Sequence, residues 1–318
     1  HGCNLIRTFP VFLANLLRRR NQMNSQVQPM ASDEASNTAG TRFASLRLWL
    51  ESYQPRPGWR AFLLEILLFG VKQAWACLFG GLLLALLFAT HQFYPADAPL
   101  ARYDFLTLAA LAIQIAMLAF RLETLDEAKT IFAFHLVGTV MELFKTAHGS
   151  WEYPEPSLLR IGAVPLFSGF MYASVGSYIA RIWRSFDFRF SDYPARGATI
   201  ALAIAIYINF FAHHWLPDIR IGLFGAMMLL FWRTRIWFRV WQYHRWMPLL
   251  VGLILVATFI WLAENLSTFS HAWVYPDQRG GWALVSPSKL GAWLLLMYIS
   301  FILVAAIHPP RAHDSKGN

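Results

Sequence analysis

Two glutamates, Glu142 and Glu264, stand inside long apolar runs of a 318-residue chain with only 18 acidic residues. An ionisable side chain in such a run is costly and by default marks a functional site. Around the first acid, His135, Thr139, Glu142 and Thr146 are spaced four, three and four apart, which puts one polar stripe on one helical face. Lys145 lies three residues from Glu142, within reach of an ion pair. The second acid has Ser267 where the lysine would be, and Asn265 beside it. Unlike partners separate two carboxyl pKa values, which is how acid and base roles are divided. Glu142, Glu264, His135, Lys145 and Asn265 therefore form the candidate catalytic set. The competing structural reading makes Glu142 and Lys145 a plain ion pair, and Glu264 a cap or a hydrogen-bond partner of a neighbouring helix.

The acids sit in two related stretches. ELFKTAHGSWEYPE (142–155) and ENLSTFSHAWVYPD (264–277) share a Trp nine residues after the Glu, a Tyr eleven after and a Pro twelve after. The offset is 122 residues, and FATH (88–91) and FAHH (211–214) match at 123. The pattern reads as a tandem of two four-helix halves in parallel orientation, 59–187 and 188–308. Trp151, Tyr153, Trp273 and Tyr275 then read as substrate-binding lids over one face of the bundle. Aromatic anchoring at headgroup depth explains them equally well. His91, His148, His213, His214 and His271 fall at the same ends of the helices, so a divalent metal on these imidazoles is a candidate cofactor. Adjacent residues point apart on a helix, so at most one of His213 and His214 is expected to face a given site.

The elements that must hold these residues are membrane helices. The chain is 57% hydrophobic and 14% charged, against about 25% charged in a soluble domain. Two cysteines exclude a disulfide scaffold. Eight stretches approach the roughly 20 apolar residues needed to cross a bilayer: 69–91, 104–121, 128–147, 161–181, 197–215, 219–233, 248–267 and 289–308. The expected fold is an all-α polytopic bundle. Of the 27 Lys and Arg, 20 fall in alternate loops on one side, which places both termini in the cytoplasm and the protein in a plasma membrane. Basic loops account for the net charge of +9, so the expected partners are membrane lipids and a small hydrophobic substrate, not nucleic acid. Arg233–Trp246 (RTRIWFRVWQYHRW) reads as an interfacial helix, as does the shorter Phe43–Tyr53. Residues 1–58 read as a largely disordered cytoplasmic segment, and 309–318 as a cytoplasmic tail. The run 1–22 lacks the charge order of a signal peptide, and Met23 or Met30 is the expected natural start.

No P-loop, GxGxxG, GxSxG, HExxH or CxxC occurs. The runs HLVGTVMELFKTAHGSWEYPEP (135–156), KQAWACLFG (72–80) and ENLSTFSHAWVYPDQ (264–278) resemble a family of bacterial integral membrane proteins. That family is catalogued as a domain of unknown function, serial eight-one-seven. The resemblance extends over about 60–308 and implies a bacterial polytopic membrane protein of unassigned activity. A weaker resemblance, to the membrane carotenoid hydratases, rests on a membrane Glu followed by a Gly- and Tyr-containing loop, and hints at an isoprenoid substrate. Three functions follow: an enzyme acting on a lipid or isoprenoid through the paired glutamates, a proton- or metal-coupled permease, or a non-catalytic membrane scaffold.

Overall fold

The computed structural model describes residues 58–313. The expectations for the amino-terminal start, the disordered segment and the helix at 43–53 lie outside these residues. Nine α-helices are described: α1 Trp59–Ala76, α2 Leu78–Phe93, α3 Arg102–Ala119, α4 Leu125–Ala147, α5 Phe167–Ser185, α6 Arg196–Ala212, α7 Arg220–Phe231, α8 Leu249–Phe269 and α9 Ser288–Ile307. Three of them, α3, α8 and α9, are long and apolar enough to cross a membrane. A fourth span results if α1 and α2 count as one broken span, while α6 and α7 are shorter apolar helices. Eight spans are therefore not reached by length and composition. The helix α4 is long but carries Glu127, Lys129, Glu142 and Lys145. Apolar side chains nonetheless face outward, with Phe62, Val71, Ile115, Phe132, Leu229 and Phe259 all more than half exposed. An outward apolar surface of this kind marks association with lipid or protein.

The expected straight helix at 69–91 is broken. α1 and α2 meet at Cys77 with a bend of 67°. The guanidinium of Arg181 on α5 donates to the Trp75 carbonyl at 3.0 Å, taking an acceptor that a continuous helix would use. A side chain inserted into the hydrogen-bond ladder is a recognised cause of a sharp kink. Arg181, the last residue of the expected span 161–181, is wholly buried. It pairs with Glu123 at 2.8 Å, and Glu123 also accepts from Ser177 and Gln114. A capping box between Thr124 and Glu127 then starts α4.

The class is mostly helical, not all-α. Six short strands are described: β1 Arg160–Ile161, β2 Val164–Pro165, β3 Arg189–Ser191, β4 Arg235–Arg239, β5 His244–Pro248 and β6 Arg311–Ala312. β1 and β2 form a small hairpin, and the other four form a sheet in the order β5-β4-β3-β6. The expected interfacial helix at 233–246 is the β4–β5 hairpin. Its sequence alternates Arg235, Ile236, Trp237, Phe238 and Arg239, a period of two that suits a strand with one buried face. Trp237 pairs with Trp246 across it, and Arg235 lies over the Trp246 ring at 4.3 Å.

The sheet closes one end of the bundle, and the Trp/Tyr loops close the other. At each end two segments pair at one sequence separation. β3 and β6 run parallel with Arg189 opposite Arg311 and Phe190 opposite Ala312. At the loop end Glu152 and Val274 form an antiparallel bridge, with bonds of 3.0 and 2.9 Å. All three pairs are 122 residues apart, the spacing between Glu142 and Glu264.

The most extensive helix pair is α4 with α5. Its closeness rests on missing side chains. A Cβ at Gly138 would stand 2.4 Å from the Tyr172 ring, and one at Gly169 would stand 2.5 Å from the His135 ring. Gly138→Ala and Gly169→Ala should each cost about 1–3 kcal/mol, the usual penalty for overpacking. Gly81→Ala should be neutral or slightly stabilising, because nothing lies within 4 Å of its Cβ. Thermal melting in detergent compares the three, and equal melting temperatures would refute this account of the pair.

Candidate functional site

Each glutamate ends in a ring of aromatic donors. Glu142 accepts from Trp151 Nε1 at 2.7 Å, Tyr153 OH at 2.7 Å and Tyr172 OH at 2.8 Å. Glu264 accepts from Tyr275 OH, and from Trp293 Nε1 at 2.7 Å. The pattern has one logic in both places. A helix delivers the acid, the following loop folds back a donor, and the next helix supplies another. Burial, and next the charge of the adjacent glutamate, push the Tyr153 and Tyr275 phenols well above their usual range. Both therefore stay protonated and remain donors.

Trp151, Tyr153 and Tyr275, expected as substrate-binding lids, donate to the carboxylates. Trp273 is buried and lines the same cavity, but Trp293 takes the donor role at Glu264 that Trp151 has at Glu142. Tyr172 and Trp293 were missed. The signal was present, since an aromatic donor stands 30 residues after the first acid and 29 after the second.

Other members of the expected catalytic set separate from the carboxylates. The Glu142–Lys145 ion pair does not form, because three neutral donors already occupy the carboxylate. Lys145 turns to His213 Nε2 at 3.4 Å and His214 Nε2 at 3.2 Å. Asn265 points away from Glu264. Its Nδ2 donates to the Trp261 carbonyl and its Oδ1 accepts the Val285 N–H, so it holds the loop before α9. One residue along a helix is a turn of about 100°, which accounts for the separation. His135 packs against the Phe170 ring at 4.7 Å, facing α5 rather than the carboxylates' cavity. Thr139 and Thr146 of the polar stripe return their hydroxyls to carbonyls one turn back.

The histidines fall into two groups. His91 lies 5.1 Å from His271, ring to ring. His148 stacks on His214 at 4.6 Å, and His214 lies 4.2 Å from His213. His213 and His214 were expected to diverge. The helix α6 ends at Ala212, so helical geometry no longer separates them. Among the described residues no group of three or more His, Cys, Asp or Glu is arranged to hold a metal ion. At His213 and His214 the Lys145 ammonium stands where a cation would have to bind.

Loops are tied down by polar groups that the sequence left in loops or span ends. Arg102 donates to the Ser270 carbonyl at 2.6 Å and pairs with Glu155. Asp104 accepts the Leu158 and Leu159 N–H groups, and Tyr103 donates to the His271 carbonyl. Arg279 forms a two-bond pair with Glu152 on the surface.

Both carboxylates open onto one cavity of about 940 Å³. It runs the length of the bundle, from Glu142, Glu264 and Trp293 at the loop end to Phe69, Phe186 and Phe238 at the sheet end. Its middle is lined by apolar side chains such as Leu83, Met171, Val175, Leu253 and Val256. The volume is within the range of small-molecule sites, and a long apolar channel with few polar groups at one end suits an elongated amphiphile.

Residues 65–301 match the family model described as "Protein of unknown function (DUF817)". The chain belongs to that family. It is 44% identical over 243 residues to "Uncharacterized protein YoaT" of Bacillus subtilis (strain 168), an alignment covering 76% of this chain and 91% of that protein. No solved structure matches it. The matched residues include both glutamates, both Trp/Tyr loops and Trp293.

Replacing Glu142 by Leu should strand three buried donors and cost roughly 3 kcal/mol. Trp293→Phe, which removes one neutral donor, should cost about 1 kcal/mol. Denaturation of the purified variants measures both, and a Leu variant as stable as the parent would refute the donor-ring account.

Proposed function

We propose that this DUF817 protein is a membrane-embedded enzyme acting on a lipid or isoprenoid held in the central cavity. The observation that carries this reading is the single apolar cavity into which both buried carboxylates open. Its dimensions suit a chain-like substrate whose reactive end lies at the donor rings.

The two acids have different roles in it. A carboxylate offers about four acceptor positions. Glu142 uses three, so it is mainly the anchor that holds Trp151, Tyr153 and Tyr172 in place. Glu264 uses two and keeps capacity for a substrate proton. Glu264 is therefore the group that moves a proton, from a carboxyl that is itself buried. Trp151, Trp273 and Tyr275 line the same space and pack on the substrate.

Two halves on one plan bring the acids together. Support comes from the matched donor rings, from the shared separation of 122 residues in three strand or bridge pairs, and from the correspondence of α4 with α8 and α5 with α9. In this reading the sheet end, rich in arginine, faces the cytoplasm of a bacterial inner membrane, following the excess of positive charge there. A permease is the second reading, favoured by the extent of the cavity from one end of the bundle to the other.

Turnover of components in a lipid extract by the purified protein tests the proposal. Glu264→Gln should abolish it while leaving the fold intact, and Glu142→Gln should lower both turnover and stability. Gly81→Phe, at a cavity-lining position with open space, should reduce co-purifying lipid. Full activity in both glutamine variants would exclude the mechanism, and substrate movement across proteoliposomes without conversion would favour the permease.

A further inference from the structure

The loop end of the cavity holds a second chemical feature beside the carboxylates. Lys145, Arg220 and Lys289 all line it, from three different helices, and each lies within electrostatic range of the other two. Lys145 is only 5% exposed. A buried ammonium ordinarily has an acid partner. Among the described residues this one meets the imidazole nitrogens of His213 and His214, with the Phe210 ring 4.3 Å away, and no carboxylate. Lys289 lies over the Tyr275 ring at 4.2 Å, and Glu264 acts on it through space without touching it. Arg220 is half-buried and paired with Asp218 at 3.0 Å, which Asn209 in turn holds.

Asp218 neutralises Arg220, and it acts on Lys145 through space as Glu264 and Asp277 act on Lys289, but neither lysine touches a carboxylate among the described residues. The oxygens of Glu142 and Glu264 are engaged by indole and phenol donors rather than by the lysines. Cations therefore converge on a space whose far side is a long apolar channel. An oxyanion would complete Lys145, and an apolar tail would fill the channel.

We propose that Lys145, Lys289 and Arg220 form the headgroup site for a single-tailed amphiphile carrying an oxyanion, a phosphate ester or a carboxylate, with its tail in the cavity. The site rests on the lipid-cavity reading above and narrows its substrate class from any lipid to an anionic one. His213 and His214 position Lys145 and do not touch the headgroup. Rigid placement by three helices matters because a surface lysine pair would offer no selectivity for a head with a tail attached.

The test uses the full chain purified in a neutral maltoside detergent. Dodecyl phosphate, dodecanoate, dodecanol and inorganic phosphate are titrated separately, with binding read from tryptophan fluorescence and from the shift in melting temperature. Dodecyl phosphate and dodecanoate should bind at least tenfold more tightly than dodecanol, and inorganic phosphate alone should give no saturable signal in the same range. Lys145→Gln and Lys289→Gln should each erase most of that preference while leaving dodecanol affinity unchanged, and Lys145→Arg should restore much of it. Equal affinity for dodecanol and the two anions would overturn the headgroup site and leave the cavity reading standing. Binding of none of the three tailed compounds would overturn both. Inorganic phosphate binding as tightly as dodecyl phosphate would mean that the cations serve a free anion, and would overturn the amphiphile. If Lys145→Gln fails to fold, Lys289→Gln decides the outcome alone.

Discussion

The loop end of this bundle depends on one constraint: a carboxylate removed from water must find donors inside the protein. Glu142 and Glu264 meet it with indole N–H and phenol O–H groups rather than with lysine or arginine. Neutral donors on loops and following helices then fix where those loops lie. The antiparallel bridge between Glu152 and Val274 follows, because the first loop is pinned on both sides by Trp151 and Tyr153 and the second is pinned on one side by Tyr275. Arg102 and Asp104 repeat the strategy at the top of α3, gathering carbonyls and N–H groups from distant segments. The cavity beneath is roofed as a consequence.

The same constraint at the other end gives a different solution. Arg181 is wholly buried and takes Glu123 and a main-chain carbonyl, and the helix that supplies the carbonyl bends. The bend between α1 and α2 puts Gly80 and Gly81 against the cavity. A buried ion pair of this kind contributes little net stability, since desolvation offsets attraction. Its structural consequence is geometric: it decides the shape of a helix and with it one wall of the pocket.

Several features were legible in the sequence because they are local or periodic. The motif spacing after each glutamate was one, and the long apolar runs were another. The close approach of Gly169 and Gly176 on α5 to the rings of His135 and Phe134 on α4 came from the packing. The interfacial helix at 233–246 was misread for a reason visible in hindsight. Arg235, Trp237 and Arg239 share one face there and Ile236 and Phe238 the other, a period of two, but a membrane-proximal basic run invites a helical interpretation. His213 and His214 were expected to diverge because helix geometry was assumed past the point where α6 ends.

By itself the sequence determined that the chain is strongly apolar, that it builds long helices, and that two acids with matched aromatic followers lie within them. Those properties reside in composition and in spacings of fewer than fifteen residues. Only the tertiary structure decided which donor meets which acid. Trp293 and Tyr172 arrive from the next helix, and Lys145 leaves Glu142 for two imidazoles just past the end of α6. It also decided that both carboxylates and three cations open onto one apolar cavity. The physical reason is that hydrogen bonds and ion pairs at long sequence separation depend on how helices pack. Helix packing here turns on three glycines and one buried arginine, and only the packing itself sets which neighbours they meet.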